Sequence, residues 1–315
     1  MLDVSTVLVT GSTGFVGSRL VSTLATKTRY SVTAITRQSG SLENVGQVEI
    51  GAIGPSTNWT KALRGQDVVI HVAAVAHVPS SDDEVLARYQ SVNVEGTRNL
   101  ALQAVKAGVK RFIFLSSIGV NGNTSSEPFR STDNVNPQEP YAESKWHGEE
   151  ALKDVCSAEG MEFVILRPPL VYGPNAPGNF GSLTRWVEKG LPLPLGAVHN
   201  NRSLVALDNL VDLIITCIHH PGAANETFLV SDGEDLSTTQ LLQGVAAAMG
   251  KPSRLIPVPA GLLQFGATLL GKKAVAQRLL GSLQVDISHT QKCLNWTPPL
   301  TVKQGLQRCF PNQQD

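Results

Sequence analysis

Short apolar runs alternate with segments of helical periodicity along the first half of the chain. Apolar residues recur at spacings of three and four at Leu20, Val21 and Leu24, and again over residues 94–107. Continuous runs rich in Val, Ile and Leu are typical of strands buried on both faces, and their alternation with helices predicts an α/β fold with a Rossmann-like, doubly wound parallel sheet. The predicted strands lie at residues 6–10, 31–36, 67–72, 111–115 and 163–167.

The composition changes after residue 170, where proline and glycine become frequent over residues 168–178. The later part has amphipathic segments separated by turns. We therefore predict a dinucleotide-binding Rossmann domain over residues 1–170 and a smaller C-terminal substrate-binding domain over residues 171–315. A segment near residues 203–220 can return to the first domain.

A glycine turn joins the first predicted strand to the first predicted helix. Gly11 and Gly14 allow a tight turn and close backbone approach, and Gly17 allows the helix to pack on the strand. The amides of the first helical turn would then face phosphate groups. A glycine-bearing loop can also lack a ligand, but the order of strand, turn and helix favours a dinucleotide site.

Tyr141 and Lys145 are four residues apart and therefore share one face of a predicted helix. A tyrosine has a pKa of about 10, which is too high for proton transfer near neutrality. We expect the Lys145 ammonium, helped by the positive charge of an oxidised nicotinamide, to lower the pKa of Tyr141 by favouring the phenolate. The same spacing occurs on ordinary amphipathic helices, so the assignment depends on the surrounding motifs.

Two serines follow the predicted strand at residues 111–115, at the sheet edge where ligands bind in open α/β folds. Ser117, and less strongly Ser116, would bond the substrate oxygen beside the phenol; alternatively, both serines only end the strand in a turn. Asn93 either bonds to backbone or water in the interior or caps a helix.

Six motifs follow one another in an order and spacing that resemble the extended short-chain dehydrogenase/reductase family. The chain is most similar to the nucleotide-sugar 4-epimerase branch and its 4-keto-sugar reductase relatives. The resemblance implies that Ser117, Tyr141 and Lys145 are catalytic, with a nicotinamide cofactor in the first domain and a UDP-sugar beneath the second. The motifs lie at residues 10–17, 71–74, 93–97, 115–117, 141–145 and 166–174.

The resemblance also assigns binding residues and an assembly. Arg202 would bind the substrate diphosphate, and Pro168 and Tyr172 would lie near the nicotinamide. A homodimer would form through helices around residues 100–105 and 141–152. The implied cofactor-binding residues are Gly11, Thr13, Gly14, Phe15, Val16, Gly17, Arg37, Ala73, Ala74, Asn93, Ser116, Tyr141, Lys145, Pro168 and Tyr172. The implied substrate-binding residues are Ser117, Asn179, Phe180, Leu195 and Arg202.

Two departures from the family pattern bear on the reaction. Ser117 is followed by Ile118 and Gly119 where the family's dehydratases have an acidic pair, which argues against a 4,6-dehydratase. Arg37 follows the second strand where NAD-preferring enzymes have an acid, and it suits the 2′-phosphate of NADP. We therefore expect NADP or NAD, with NADP slightly favoured, and reduction of a UDP-4-keto-sugar at C4. The alternatives are an NAD-dependent UDP-sugar 4-epimerase, a small-molecule carbonyl reductase and a non-catalytic NADP(H) sensor.

Composition narrows the class of protein. Lys and Arg total 26, as do Asp and Glu, so the formal charge is zero and no overall surplus favours nucleic acid or an anionic membrane. No apolar run reaches eighteen residues and no signal segment precedes the first strand, which predicts a cytoplasmic protein without membrane insertion. The four cysteines lack metal-site spacing, so we expect reduced thiols and no metal.

Overall fold

The computed structural model describes residues 4–38, 45–76, 82–271 and 273–311. The strands are β1 Thr6–Thr10, β2 Ser31–Thr36, β3 Gly46–Glu49, β4 Val68–His71, β5 Arg111–Leu115, β6 Glu162–Arg167, β7 Leu170–Tyr172, β8 Arg202–Ala206, β9 Glu226–Leu229 and β10 Asp235–Leu236. The α-helices are α1 Phe15–Lys27, α2 Thr60–Leu63, α3 Asp83–Arg88, α4 Gly96–Lys106, α5 Pro140–Glu159, α6 Gly178–Glu188, α7 Leu207–His219, α8 Thr238–Ala248, α9 Ala260–Leu269, α10 Lys273–Leu280, α11 Ser288–Leu294 and α12 Val302–Arg308.

Within the described residues, the large sheet has seven strands in the order β3-β2-β1-β4-β5-β6-β9, all parallel. Val7 and Val9 of β1 point into one apolar core, whereas Leu8 points into the core on the opposite face. Helices cover both faces, which explains why the strands read as continuous apolar runs. The predicted Rossmann-like, doubly wound parallel sheet is confirmed. The strand order reverses between β1 and β4, and open α/β sheets bind ligands at that point.

The segment predicted as one helix over residues 94–107 consists of two kinds of helix. A π-helical stretch, Tyr89–Glu95, continues directly into α4. Hydrophobic periodicity does not distinguish these helix types, because the π turn only shifts which residues face inward. The wider turn lies beside α5 and includes Asn93.

A smaller sheet organises much of the later part of the chain, with β8 parallel to β7 and antiparallel to β10. Its core includes Leu204, Leu242 and Leu306. The chain then passes back toward the large sheet, because Leu210 and Ile214 of α7 join the core that contains β1, and β9 pairs with β6. The domain boundary at residue 170 stays a prediction.

Among the described residues, no helix combines the length and the apolar character needed to cross a membrane.

Candidate active site

The polar residues singled out in the sequence gather at the carboxyl edge of the large sheet. Thr10 ends β1, His71 ends β4 and Ser117 follows β5. Because the three strands are neighbours and parallel, their ends meet at one edge, at the reversal of strand order. Helix α5 begins beside this edge and carries Tyr141 and Lys145.

The glycine turn is pressed against the backbone that follows β4. Gly11 has φ +68°, and a Cβ added there would lie 2.7 Å from the amide nitrogen of Ala73. A Cβ at Gly17 would lie 2.0 Å from the carbonyl oxygen of Gly11, so helix α1 contacts the turn directly. Larger side chains at either position would force the backbone apart.

The start of α1 suits a pyrophosphate. Its N-cap, Gly14, supplies no side chain to the helix, so the first-turn amides of Phe15, Val16 and Gly17 are available to an external acceptor. Thr13 is exposed at the tip of the turn. The residues present therefore fit a dinucleotide phosphate group, which these amides would hold.

A buried chain of hydrogen bonds links the turn to the helices behind it. The Thr97 hydroxyl donates to the carbonyl oxygen of Asn93 at 2.8 Å, so it accepts from Nε2 of His71 at 3.1 Å. Nδ1 of His71 then accepts from the Thr10 hydroxyl at 2.7 Å, and Thr10 accepts from the amide of Ala73 at 3.2 Å. This chain assigns His71 as the neutral Nε2–H tautomer. Burial, with a contribution from Lys145, lowers the pKa of His71 to about 3, which agrees with a neutral ring.

The loop carrying Ser117 packs against the first turn of α5. A Cβ added at Gly119 would lie 3.1 Å from that of Ala142, the residue after Tyr141. The Ser117 oxygen accepts from the amide of Gly119 at 3.1 Å, which leaves its hydroxyl proton free to donate to a ligand. The structure thus places the Ser117 loop against the turn that carries Tyr141, and the joint role of the two residues toward a substrate stays a prediction.

Burial shifts the pKa values of both Tyr141 and Lys145. Burial raises the pKa of Tyr141 to about 12, with a smaller contribution from Tyr89, whose ring centroid lies 6.1 Å away. Burial lowers the pKa of Lys145 to about 7, although Glu149 opposes this shift. Desolvation dominates the pKa values of both groups in the folded chain. The expected lowering of the Tyr141 pKa by Lys145 together with an oxidised nicotinamide stays a prediction.

Lys145 is held in an apolar environment. Its Nζ lies 3.9 Å from the ring centroid of Phe114, which stabilises the charged form through a cation–π contact. The Phe114 ring also stacks on His71, with centroids 5.8 Å apart. One aromatic side chain of β5 therefore connects the helix residue with the buried histidine.

A buried ion pair lies beneath this region. Arg167 donates to both carboxylate oxygens of Glu149, at 2.9 and 2.6 Å, and to the Asn121 amide oxygen at 3.0 Å. The Ser116 hydroxyl donates to the same carboxylate in a very short hydrogen bond. The Ser116 hydroxyl proton is therefore used within the protein, and the assignment of Ser116 to the cofactor stays a prediction. The sequence analysis missed Glu149. The features that could have indicated it are its position four residues after Lys145 on α5 and the presence of Arg167 in a buried strand.

Asn93 bonds to backbone and does not cap a helix. Its side chain accepts from the amide of Val75 at 2.8 Å and donates to the Val75 carbonyl at 3.0 Å. It also donates to the hydroxyl of Ser144 on α5 at 2.9 Å. Asn93 therefore fixes the chain after β4 against α5, and this backbone contact was one of its two predicted roles.

Three residues assigned to ligands have side chains in the C-terminal core. Tyr172 is fully buried and donates to Oδ2 of Asp232 at 2.6 Å, so its hydroxyl is bonded within the C-terminal core. Its place near the nicotinamide stays a prediction. Phe180 packs on Tyr172 with ring centroids 5.5 Å apart, and Leu195 lies in the same apolar cluster. The side chains of Phe180 and Leu195, which were expected to lie along the substrate, contribute to the core beside the small sheet, where their burial stabilises the fold. Their contact with a substrate stays a prediction.

The remaining predicted residues stay near the surface or near backbone groups. Arg202 donates to the Gly281 carbonyl at 3.0 Å, and Asn179 is exposed at the start of α6. Arg37 is exposed directly after β2, while Ala73 and Ala74 are partly buried after β4. The carbonyl oxygen of Pro168 accepts from the amide of Ile118, which ties the end of β6 to the Ser117 loop. Their roles toward ligands stay predictions.

Comparison with known proteins supports the family resemblance. The model of the NAD dependent epimerase/dehydratase family matches residues 7–231. The chain is 46% identical over 306 residues to a UDP-glucose 4-epimerase of Vibrio cholerae, covering 96% of this chain and 93% of the relative. It is 30% identical over 319 residues to an N-acetyl-alpha-D-glucosaminyl-diphospho-ditrans,octacis-undecaprenol 4-epimerase of Escherichia coli O157:H7, covering 96% and 93%. A Bacillus cereus UDP-glucuronic acid 4-epimerase solved with NAD has a similar fold, with a TM-score of 0.79 at 20% identity and 97% of each chain covered.

Proposed function

The chain belongs to the NAD-dependent epimerase/dehydratase family, and on this premise we propose that it is a UDP-sugar 4-epimerase acting on a UDP-hexose or UDP-N-acetylhexosamine. The observation that carries the proposal is its similarity to the Vibrio cholerae UDP-glucose 4-epimerase over nearly the full length of both chains. This favours the epimerase, which the sequence alone had placed second to 4-keto reduction.

The site residues can perform the proton chemistry at O4 of the sugar. A nicotinamide dinucleotide bound at the glycine turn supplies an acceptor and donor of hydride. Tyr141 removes the proton from O4 as C4 is oxidised and returns it when C4 is reduced on the opposite face. Ser117 orients the oxygen by donating its hydroxyl proton. No net oxidant is consumed, because the C4 hydrogen returns to the same sugar.

Lys145 is the residue that makes this proton transfer possible near neutrality. Burial alone raises the pKa of Tyr141, so the phenol needs positive charge nearby to release its proton. Lys145 lies one helical turn away and, with its lowered pKa, exchanges between charged and neutral forms around neutral pH. We expect ligand binding to shift this balance toward the ammonium and the phenolate.

The test is incubation of the purified protein with UDP-glucose, and separately UDP-N-acetylglucosamine, without added cofactor. We expect the 4-epimer of one substrate to accumulate to equilibrium and mass spectrometry to find NAD retained by the protein. Tyr141→Phe should abolish epimer formation while the bound nucleotide is kept. Failure of both substrates to epimerise, with nucleotide bound, would contradict the proposal.

A second candidate is NADPH-dependent reduction of a UDP-4-keto-sugar, favoured by the exposed Arg37 after β2. Retained NADP and oxidation of added NADPH by a UDP-4-keto-sugar would support this reaction. Arg37→Ala should then weaken NADPH binding more than NADH binding. Equal effects on the two nucleotides would remove the observation on which this candidate rests.

A further inference from the structure

Helix α9 exposes large apolar side chains on one face. Leu262, Phe265 and Leu269 are spaced by three and four residues and are 63%, 65% and 72% exposed, and Leu270, which follows, is 75% exposed. No residue of α9 is buried. Leu263, on another face, contacts the C-terminal core and attaches the helix to the protein.

The exposure is clustered. Within the described part of the chain, nine large apolar residues are exposed, and six of them fall between residues 256 and 275. Scattered apolar residues are normal on a protein surface, whereas a contiguous group marks contact with a partner or a lipid surface. The exposed members of this group, called here the α9 surface, are Ile256, Leu262, Phe265, Leu269, Leu270 and Val275.

The stretch of sequence that contains α9 has basic residues and no acidic ones, although the whole chain is neutral. No acidic residue occurs between Asp235 and Asp286. Basic residues precede and follow the apolar stretch. They are Lys251, Arg254, Lys272, Lys273 and Arg278.

The described cations before the helix keep their charge available. Lys251 and Arg254 donate to the carbonyl oxygens of Glu188 and Gly190, which do not neutralise them. Arg278 instead pairs with Glu139. Exposed apolar side chains flanked by cations match the interface of an anionic bilayer. The apolar side chains would pack among the acyl chains, and the cations would pair with the anionic headgroups.

We propose that the α9 surface docks this protein on an anionic lipid bilayer, with the helix in the plane of the interface. The helix has ten residues and is therefore about 15 Å long, half of the roughly 30 Å hydrocarbon thickness, so it lies on the membrane without spanning it. A second copy is a poorer occupant, because a symmetric contact would bring the same basic residues face to face. The docking does not depend on the proposed reaction.

The experiment is co-sedimentation of the full chain with vesicles. One set contains equal parts of phosphatidylglycerol and phosphatidylethanolamine, and the other contains phosphatidylcholine alone. We expect binding to the anionic vesicles that weakens with added salt, and weaker binding to phosphatidylcholine. A wild-type protein that stays in the supernatant with anionic vesicles overturns the proposal.

Variants locate the contact. The double variant Leu262→Ser, Leu269→Ser should lower anionic-vesicle binding about tenfold or more. Leu269→Ser alone should lower it less, and Leu86→Ser, which changes an exposed leucine of α3, should leave it unchanged. Unimpaired binding by the double variant, or an equal loss in Leu86→Ser, overturns the proposal.

Two further measurements separate the remaining possibilities. Sedimentation velocity without lipid tests the second copy: self-association that the double variant abolishes, in a protein that binds no vesicles, would assign the α9 surface to a dimer and overturn the proposal. Turnover of free UDP-sugar by the double variant should equal that of the wild type. Failure of docking is thereby distinguished from failure of the proposed epimerase activity.

Discussion

Polar side chains are buried at the carboxyl edge of the large sheet, where we propose that catalysis occurs, whereas apolar side chains face outward on α9. At the edge, His71, Glu149 and Arg167 are nearly inaccessible, yet each has hydrogen-bond partners. On α9, Phe265 and Leu269 remain mostly exposed. Burying polar groups costs free energy that only a complete set of hydrogen-bond partners offsets, and exposed apolar groups do not contribute to the hydrophobic stabilisation of the fold. The buried polar groups and the exposed apolar groups therefore both indicate a role other than stability.

The largest expected effect is on catalysis. Tyr141→Phe removes the proton-transferring hydroxyl, and we expect turnover to fall by about 10²- to 10⁴-fold with the melting temperature little changed. Tyr30→Phe is the matched control, because Tyr30 precedes β2 and its hydroxyl contacts His219 at 3.0 Å. Turnover rates of the two variants on the same sugar nucleotide test whether Tyr141 transfers the proton. Equal rates would contradict this role.

Among changes that affect stability, breaking the buried ion pair of Glu149 and Arg167 should have the largest effect. Arg167→Met leaves the Glu149 carboxylate buried without its cation, and we expect a loss of about 3–5 kcal/mol in the free energy of unfolding. Arg98→Met breaks the exposed pair with Asp154, at 3.7 Å, and should cost less than about 1 kcal/mol. Denaturant titration of both variants measures the difference, and similar losses would show that the buried pair is not special.

The pH dependence of stability tests His71. Its folded-state pKa lies below its unfolded value, so the unfolded chain gains a proton first and stability falls as the pH drops from about 6.5 toward 3. We expect this group to cost about 2 kcal/mol between pH 7 and pH 5. Denaturant titrations at pH 7 and pH 5 measure this. The free energy of unfolding should fall by about 2 kcal/mol more in the wild type than in His71→Gln between the two pH values. Parallel losses would mean that the folded-state pKa of His71 is not lowered.

The smallest effect is expected on α9. Leu262→Ser and Leu269→Ser change side chains that are already exposed, so each should alter the free energy of unfolding by less than about 0.5 kcal/mol. Denaturant midpoints and slopes check this. A loss of 2 kcal/mol or more would place these leucines in the folded core and remove the contrast with the carboxyl edge.

Much of the edge was predictable because its constraints are local. The glycine turn, Ser117, and the pair Tyr141 and Lys145 are defined by spacing within a strand, turn or helix. The Glu149–Arg167 contact joins α5 to β6, and no local pattern reveals which buried groups will pair. No local pattern reveals the raised pKa of Tyr141 either, because that shift depends on how completely the folded chain excludes water.

Residues after 170 were harder to place. Phe180 and Leu195 match the family's substrate region, and sequence does not distinguish the wall of a pocket from a core. The stretch without acidic residues around α9 can be read from the sequence. The total charge of zero gave no reason to single it out as a binding surface.

The sequence by itself determined the alternation of strands and helices in the first half of the chain, the Rossmann-like sheet and the spacing of the proposed catalytic residues, because period, turn chemistry and spacing act within a few residues. Only the tertiary structure decided which polar groups have hydrogen-bond partners, which apolar residues are buried and how far burial shifts the pKa values of Tyr141 and Lys145. These depend on contacts between segments far apart in the chain, and desolvation is set by the packing of all of them together.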